Sequence, residues 1–131
     1  GPNHVFSYAS KTWVYSIEMA RDRKWAEMKM HRDAEEFGGV DFNGHRYDTD
    51  ALSQQRIQGA AQQVALGAFT SITWTTADNL TVTLTAQEVD DLAIAVAQLV
   101  NTAHERGRIV RLEIAAATTE AELEAITWPT S

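Results

Sequence analysis

From Ser71 to Thr85 apolar residues alternate with threonines. Ile72 and Trp74 precede the turn Ala77-Asp78-Asn79, and Leu80, Val82 and Leu84 follow it. A period of two on either side of a turn predicts a hairpin with one apolar face and one threonine face. Elsewhere the period is helical. From Ser16, a fitting N-cap with Glu18 in the first turn, Met19, Ala26, Met30, Ala34 and Phe37 predict an apolar stripe, with Trp25 and Met28 on a neighbouring face. Gly38-Gly39 supplies the left-handed residue that ends such a helix. Ala51 to Leu66 reads as an alanine-rich second helix carrying Leu52, Ile57, Ala60, Ala61 and Val64. Thr85 and Glu88 form a capping box that opens a long helix. Its apolar positions Val89, Leu92, Val96, Leu99, Ala103, Gly107, Val110, Ile114 and Ala117 make a heptad seam with one extra four-residue step near Gly107. A second capping box, Thr119 to Glu122, starts a short helix that ends before Trp128-Pro129. At the other end, Val5–Tyr8 and Thr12–Tyr15 read as two short strands, with a frayed helix start as the competing reading.

The fold class expected is therefore α+β: two long helices and a shorter alanine-rich helix packed with short β-hairpins, plus a small C-terminal helix. Residues 1–15 are expected to hold a tag remnant and a short strand pair or arm, because Gly1-Pro2 matches the scar of a protease-cleaved expression tag. Residues 16–131 are expected to form one domain. With no internal repeat or linker signal, this is the simplest division of a chain of 131 residues.

The most reactive-looking stretch, "GGVDFNGHRYDTD" from Gly38 to Asp50, has an economical structural reading. Asn43-Gly44 is a strong type I′ hairpin signal, because both central residues of that turn need positive φ. Val40, Phe42, His45 and Tyr47 would then share a face. One of Asp48, Thr49 and Asp50 would cap the second helix, and the carboxylates suit its positive end. That leaves Arg46 and Arg56, for which we expect an internal ion-pair brace with Asp48 and Asp50. Neither the four histidines nor the three aspartates have metal-ligand spacing, and no glutamate closes a calcium-loop register. Ser53 and Ser71 lack a nucleophile elbow. No cofactor, metal or catalytic residue is expected.

Composition narrows the function classes further. A net charge of −7 disfavours nucleic acid, whose binding needs clustered cations. Arg21, Arg23, Lys24, Lys29 and Arg32 do cluster, but they are interleaved with acids, and Arg23–Glu27, Lys29–Asp33 and Arg32–Glu36 predict a solvated helix face. No apolar run is long enough for a membrane span, and the absence of cysteine excludes disulfide and thiol chemistry.

Residues 22–128 resemble an uncharacterised domain family common in tailed-phage and prophage proteins of the tail-fibre and tail-fibre-assembly type. The resemblance is carried by the run Lys29 to Asp33, by Gly44, Arg46-Tyr47-Asp48-Thr49-Asp50, Ser53, Arg56-Ile57 and Gly59, and by Trp74 to Asn79 with the long alanine-rich helix. It implies a structural motif around Asn43, Gly44, Arg46, Tyr47, Asp48, Asp50, Ser53 and Arg56, and no catalytic residues. It also implies a non-enzymatic module that docks onto a tail-fibre or baseplate protein, in the virion tail or in the host cytoplasm during assembly. Trp13, Trp25, Trp74 and Trp128 are the candidate partner-binding residues, and the helices 16–37 and 86–117 permit self-association. An assembly chaperone released from the virion is one alternative. Another is a host-surface glycan binder using Trp74, Tyr47 and polar loops.

Overall fold

The computed structural model describes residues 4–7 and 12–130, with side chains from Ser16 onward. The elements run β1 His4–Ser7, β2 Thr12–Tyr15, α1 Ile17–Phe37, β3 Val40–Phe42, β4 His45–Tyr47, α2 Ala51–Ala65, β5 Ser71–Thr75, β6 Thr81–Thr85, α3 Ala86–Ala116 and α4 Glu120–Glu124. The fold is α+β. Its described strands form three separate two-stranded antiparallel sheets, β1–β2, β3–β4 and β5–β6. The first strand pair places Val5 opposite Val14 and Phe6 opposite Trp13. Tyr8, expected at the end of β1, lies outside the described residues. The chain falls into two compact units, Gly1–Arg32 with His104–Ser131, and Asp33–Ala103.

In the first unit, Ala20, Met28, Val110, Ile114, Ala117, Leu123 and Ile126 form the core, with Ile17, Trp25 and Trp128 packed against it. The α1 and α3 segments run antiparallel here. Arg21 of α1 donates to the Ala117 carbonyl at the end of α3, at 2.6 Å from Nη2 and 3.3 Å from Nε. Two guanidinium groups stand over the Trp25 ring, Arg111 at 5.2 Å and Arg32 at 5.9 Å from its centroid. Such contacts contribute about 0.5–1 kcal/mol each where exposed. Thr119 caps α4 by accepting the Glu122 N–H at 3.1 Å. The Glu122 carboxylate reaches back to the Thr118 N–H at 2.9 Å, one residue earlier than in the expected capping box.

The expected apolar stripe of α1 is on the wrong side of the helix. Met19, Ala26, Met30, Ala34 and Phe37 are exposed, Met30 at 72 %. The inward line in this unit is Ala20, Arg21, Lys24, Trp25, Met28 and Arg32, buried or half-buried. Long cationic side chains cover apolar surface with their stems while their heads find partners. Arg21 does so on Ala117, and Lys24, whose side chain is 12 % exposed, pairs with Glu27 at 3.5 Å. The basic cluster is therefore only partly the solvated face expected of it, and Lys24 takes Glu27 in place of Arg23.

The α3 seam is as expected in this unit, with Gly107, Val110, Ile114 and Ala117 buried. Gly107, at the stutter, is surrounded by larger side chains. A Cβ there would meet Arg32 Cδ at 3.5 Å, the Trp25 ring at 3.8 Å and the Trp128 ring at 3.9 Å.

The second unit is built around Tyr47, Ile57, Ala60, Leu84, Val89, Leu92 and Val96. Val40, Phe42, Ile72, Trp74 and Val82 pack against this cluster. In β3–β4, Val40 faces Tyr47 and Phe42 faces His45. Asn43 and Gly44 adopt φ of +49° and +80°, the two positive values a type I′ turn needs. In β5–β6 the apolar face is Ile72, Trp74, Val82 and Leu84. Leu80 precedes β6 and is half exposed, because the loop from Thr76 holds it through its backbone. The capping box at the start of α3 forms as expected: Thr85 Oγ1 accepts the Glu88 N–H at 3.2 Å, and Glu88 Oε1 accepts the Thr85 N–H at 3.0 Å.

Gly107→Ala should stabilise the protein by up to about 1 kcal/mol, since a methyl meets only ordinary contacts and glycine is a poor helix residue. Gly107→Leu should destabilise it by about 1–3 kcal/mol through overpacking. Urea denaturation midpoints of the two variants check this.

Candidate functional site

The stretch between α1 and α2 is organised by Thr49, which is fully buried. Its hydroxyl donates to the Glu36 carbonyl at 2.7 Å and accepts the Gly39 N–H at 2.9 Å, so one side chain closes the end of α1. Gly39 has φ +99°, and a Cβ at Gly38 would sit 2.4 Å from the Ala34 carbonyl oxygen, so neither position tolerates a side chain without a backbone shift. Arg46 completes the closure by donating to the Gly38 carbonyl at 2.8 Å. Gln54 of α2 donates to the Thr49 carbonyl at 2.8 Å and to Glu36 Oε2 at 3.3 Å. Asp50 is the N-cap of α2: Oδ2 accepts the Ser53 N–H at 3.3 Å, and the Ser53 hydroxyl bonds to Oδ1.

The expected brace of Arg46, Asp48, Asp50 and Arg56 does not form. Arg46 pairs with Asp41 at 3.1 Å, its cross-strand neighbour in β3–β4, and Asp50 is used by its own helix. Asp48 and Arg56 make no side-chain hydrogen bond or ion pair among the described residues. Both line an open cleft of about 330 Å³, together with Ser53, Trp74, Asn79 and the run Thr73 to Thr76. Three of the residues singled out in the sequence, Asp48, Ser53 and Arg56, thus meet Trp74 at one place. Asn43 and Gly44 form the turn of β3–β4, where Asn43 Nδ2 donates to Glu88 Oε2 at 3.2 Å. Tyr47 is buried against Phe42, edge to face at 6.0 Å between centroids, so it offers no platform to a ligand. Trp25 and Trp128 are half-buried in the first unit, where Trp128 stacks with His31 at 6.2 Å. The Trp13 side chain lies outside the described ones.

The far wall of the cleft was missed in the sequence. Thr76 is buried at the end of β5. Its hydroxyl bonds to the Asp78 carboxylate and accepts the Leu80 N–H at 3.1 Å, which fixes the loop carrying Asn79. The loop is tied to β4 by the Ala77 N–H on the Arg46 carbonyl at 2.8 Å. The threonine alternation was the available signal. It marks an exposed strand face but says nothing about what stands opposite.

The pKa values of Tyr47, Asp50 and Glu88 are displaced, each for a structural reason. Burial, and then the negative charge of Glu88, raise the Tyr47 phenol. The hydrogen bond from the Ser53 hydroxyl lowers Asp50. Backbone and side-chain hydrogen bonds from Thr85, with a smaller contribution from Asn43, lower Glu88. The two carboxylates are anionic helix caps, which is what favours their charged form. Among the described residues no three His, Asp or Glu side chains converge as a metal site. No described helix is long and apolar enough to cross a membrane.

Residues 19–127 match the family model of a domain of unknown function, DUF4376. The match covers most of the chain, which therefore belongs to this family. No curated protein and no solved structure gives a significant match.

Thr49→Val should destabilise the protein by about 1–3 kcal/mol, because it leaves the Gly39 N–H without its partner, whereas Thr49→Ser should cost less. Urea unfolding separates the two. The depressed Glu88 and Asp50 groups contribute stability that is present above the ordinary carboxylate range and lost as pH falls through their folded values. The denaturation midpoint should therefore drop on acidification, and Glu88→Gln should flatten that dependence.

Proposed function

We propose that the chain is a non-enzymatic, phage tail-associated structural or assembly module that docks onto a tail-fibre or baseplate protein. The observation that supports docking is the cleft in which Asp48 and Arg56, opposite in charge and each without a partner among the described residues, stand beside Trp74. Unpaired charges on rigid elements are a recognition feature, since a partner supplies the bonds the fold withholds. The shifted carboxylates Asp50 and Glu88 are accounted for by helix capping. The phage-tail setting rests on the resemblance of residues 22–128.

The test is co-purification of the chain with the tail-fibre and baseplate proteins encoded beside it. A complex that survives size exclusion and weakens at least about tenfold, some 1.4 kcal/mol, with Arg56→Glu is the expected result. Absence of binding to any of these proteins removes the proposal. Mass spectrometry of purified virions separates a retained component from a released chaperone. A glycan reading draws on half-buried Trp74 within a polar rim. It requires a saccharide-dependent change in tryptophan fluorescence that Trp74→Ala abolishes.

A further inference from the structure

The backbone along this cleft has free hydrogen-bonding groups whose positions follow from the strand register. In an antiparallel pair, facing residues alternate between exchanging both backbone hydrogen bonds and exchanging none. The β5–β6 ladder pairs Ile72 with Leu84, Thr73 with Thr83 and Trp74 with Val82. Its phase is set at both ends, by the Thr76 N–H on the Leu80 carbonyl at 2.8 Å and the Ala86 N–H on the Thr70 carbonyl at 2.9 Å. Even-numbered residues of β5 therefore bond to β6, and Ser71, Thr73 and Thr75 direct their N–H and C=O groups away from it. No described backbone or side-chain group accepts from or donates to these outward groups of Thr73 and Thr75. The cleft touches Thr73 and Thr75 but no residue of β6, so it flanks this open edge, with Asp48 and Arg56 also on its lining.

We propose that the free edge of β5 at Thr73 and Thr75 takes an extended segment of a partner protein as a third strand, with Arg56 receiving an acidic side chain of that segment and Asp48 a basic one. Main-chain pairing supplies affinity in such strand addition, and side-chain contacts supply specificity. Charge complementarity sets the occupant. Two opposite charges that ignore each other across the lining call for a ligand carrying both signs, which neither a neutral glycan nor a simple anion does. The proposal rests on the docking reading and gives it a site and a mode.

The probe is a displayed library of random short peptides, panned on the full chain, with the recovered peptides then measured on the Thr73→Pro variant. Proline at Thr73 removes an N–H that only an added strand would use, so the intramolecular ladder stays whole. Thr83→Pro makes the same change on the β6 edge and is the control, with circular dichroism and thermal unfolding confirming that both variants fold. Peptides carrying an acid and a base should be recovered. Their affinity should fall at least about tenfold, or 1.4 kcal/mol, on Thr73→Pro and on Arg56→Glu, and hold on Thr83→Pro. N-methylation at alternate peptide positions should abolish binding, and methylation at the intervening ones should not. Recovery of no peptides, equal binding to Thr73→Pro, or indifference to the methylation pattern overturns the proposal. A tail protein that binds Thr73→Pro as well as the native chain would overturn the edge and leave the docking reading standing. Edge-binding peptides without any tail-protein partner would do the reverse.

Discussion

One hydroxyl holds the candidate site together. From just before the α2 cap, Thr49 bonds both to the Glu36 carbonyl in the last turn of α1 and to the Gly39 N–H two residues beyond that helix. Helix ends leave backbone groups that must find partners when water is excluded. At the end of α1 the chain turns through two glycines that have no side chain to offer. The partner therefore comes from ten residues further on, and everything between, the β3–β4 hairpin included, is looped out at a fixed length. The direction of α2, and with it the positions of Ser53 and Arg56, follows from that closure.

The cleft is built in the same economical way. Its α2 side is set by a helix cap, its β5 side by a hairpin, and its far end by the buried Thr76 that bonds across its own loop. Each part is a local solution to a backbone-satisfaction problem. Among the described residues Asp48 and Arg56 are left unpaired once those problems are solved, which puts two opposite charges on one cleft lining.

Local chemistry was legible in the sequence, and long-range pairing was not. The Asn43-Gly44 turn, the Asp50 cap, the Thr85–Glu88 box and the α3 seam all depend on residues within a few positions of one another, and the structure has them. The α1 face departs from its apolar pattern, because the inward line contains Arg21, Lys24 and Arg32, whose aliphatic stems do the packing. The brace failed for a related reason. Arg46 found a nearer acid directly across its hairpin, a choice that depends on register. The cleft could not be read at all, because it joins residues 48–56 to residues 73–79 and no sequence pattern states that these meet.

The two edges of the β5–β6 hairpin are also unequal in a way that bears on solubility. On the β6 side the outward Thr85 N–H is already occupied by the Glu88 carboxylate, and a negative charge stands where a second sheet would have to dock. On the β5 side the Ala77 N–H is taken by the Arg46 carbonyl, and no described carboxylate bonds to Thr73 or Thr75. Head-to-tail stacking of hairpins, the arrangement that propagates into fibres, needs one edge of each kind and is therefore hindered at the Thr85 end of the β6 edge. A chain can thus keep one strand edge available without becoming a template for its own aggregation.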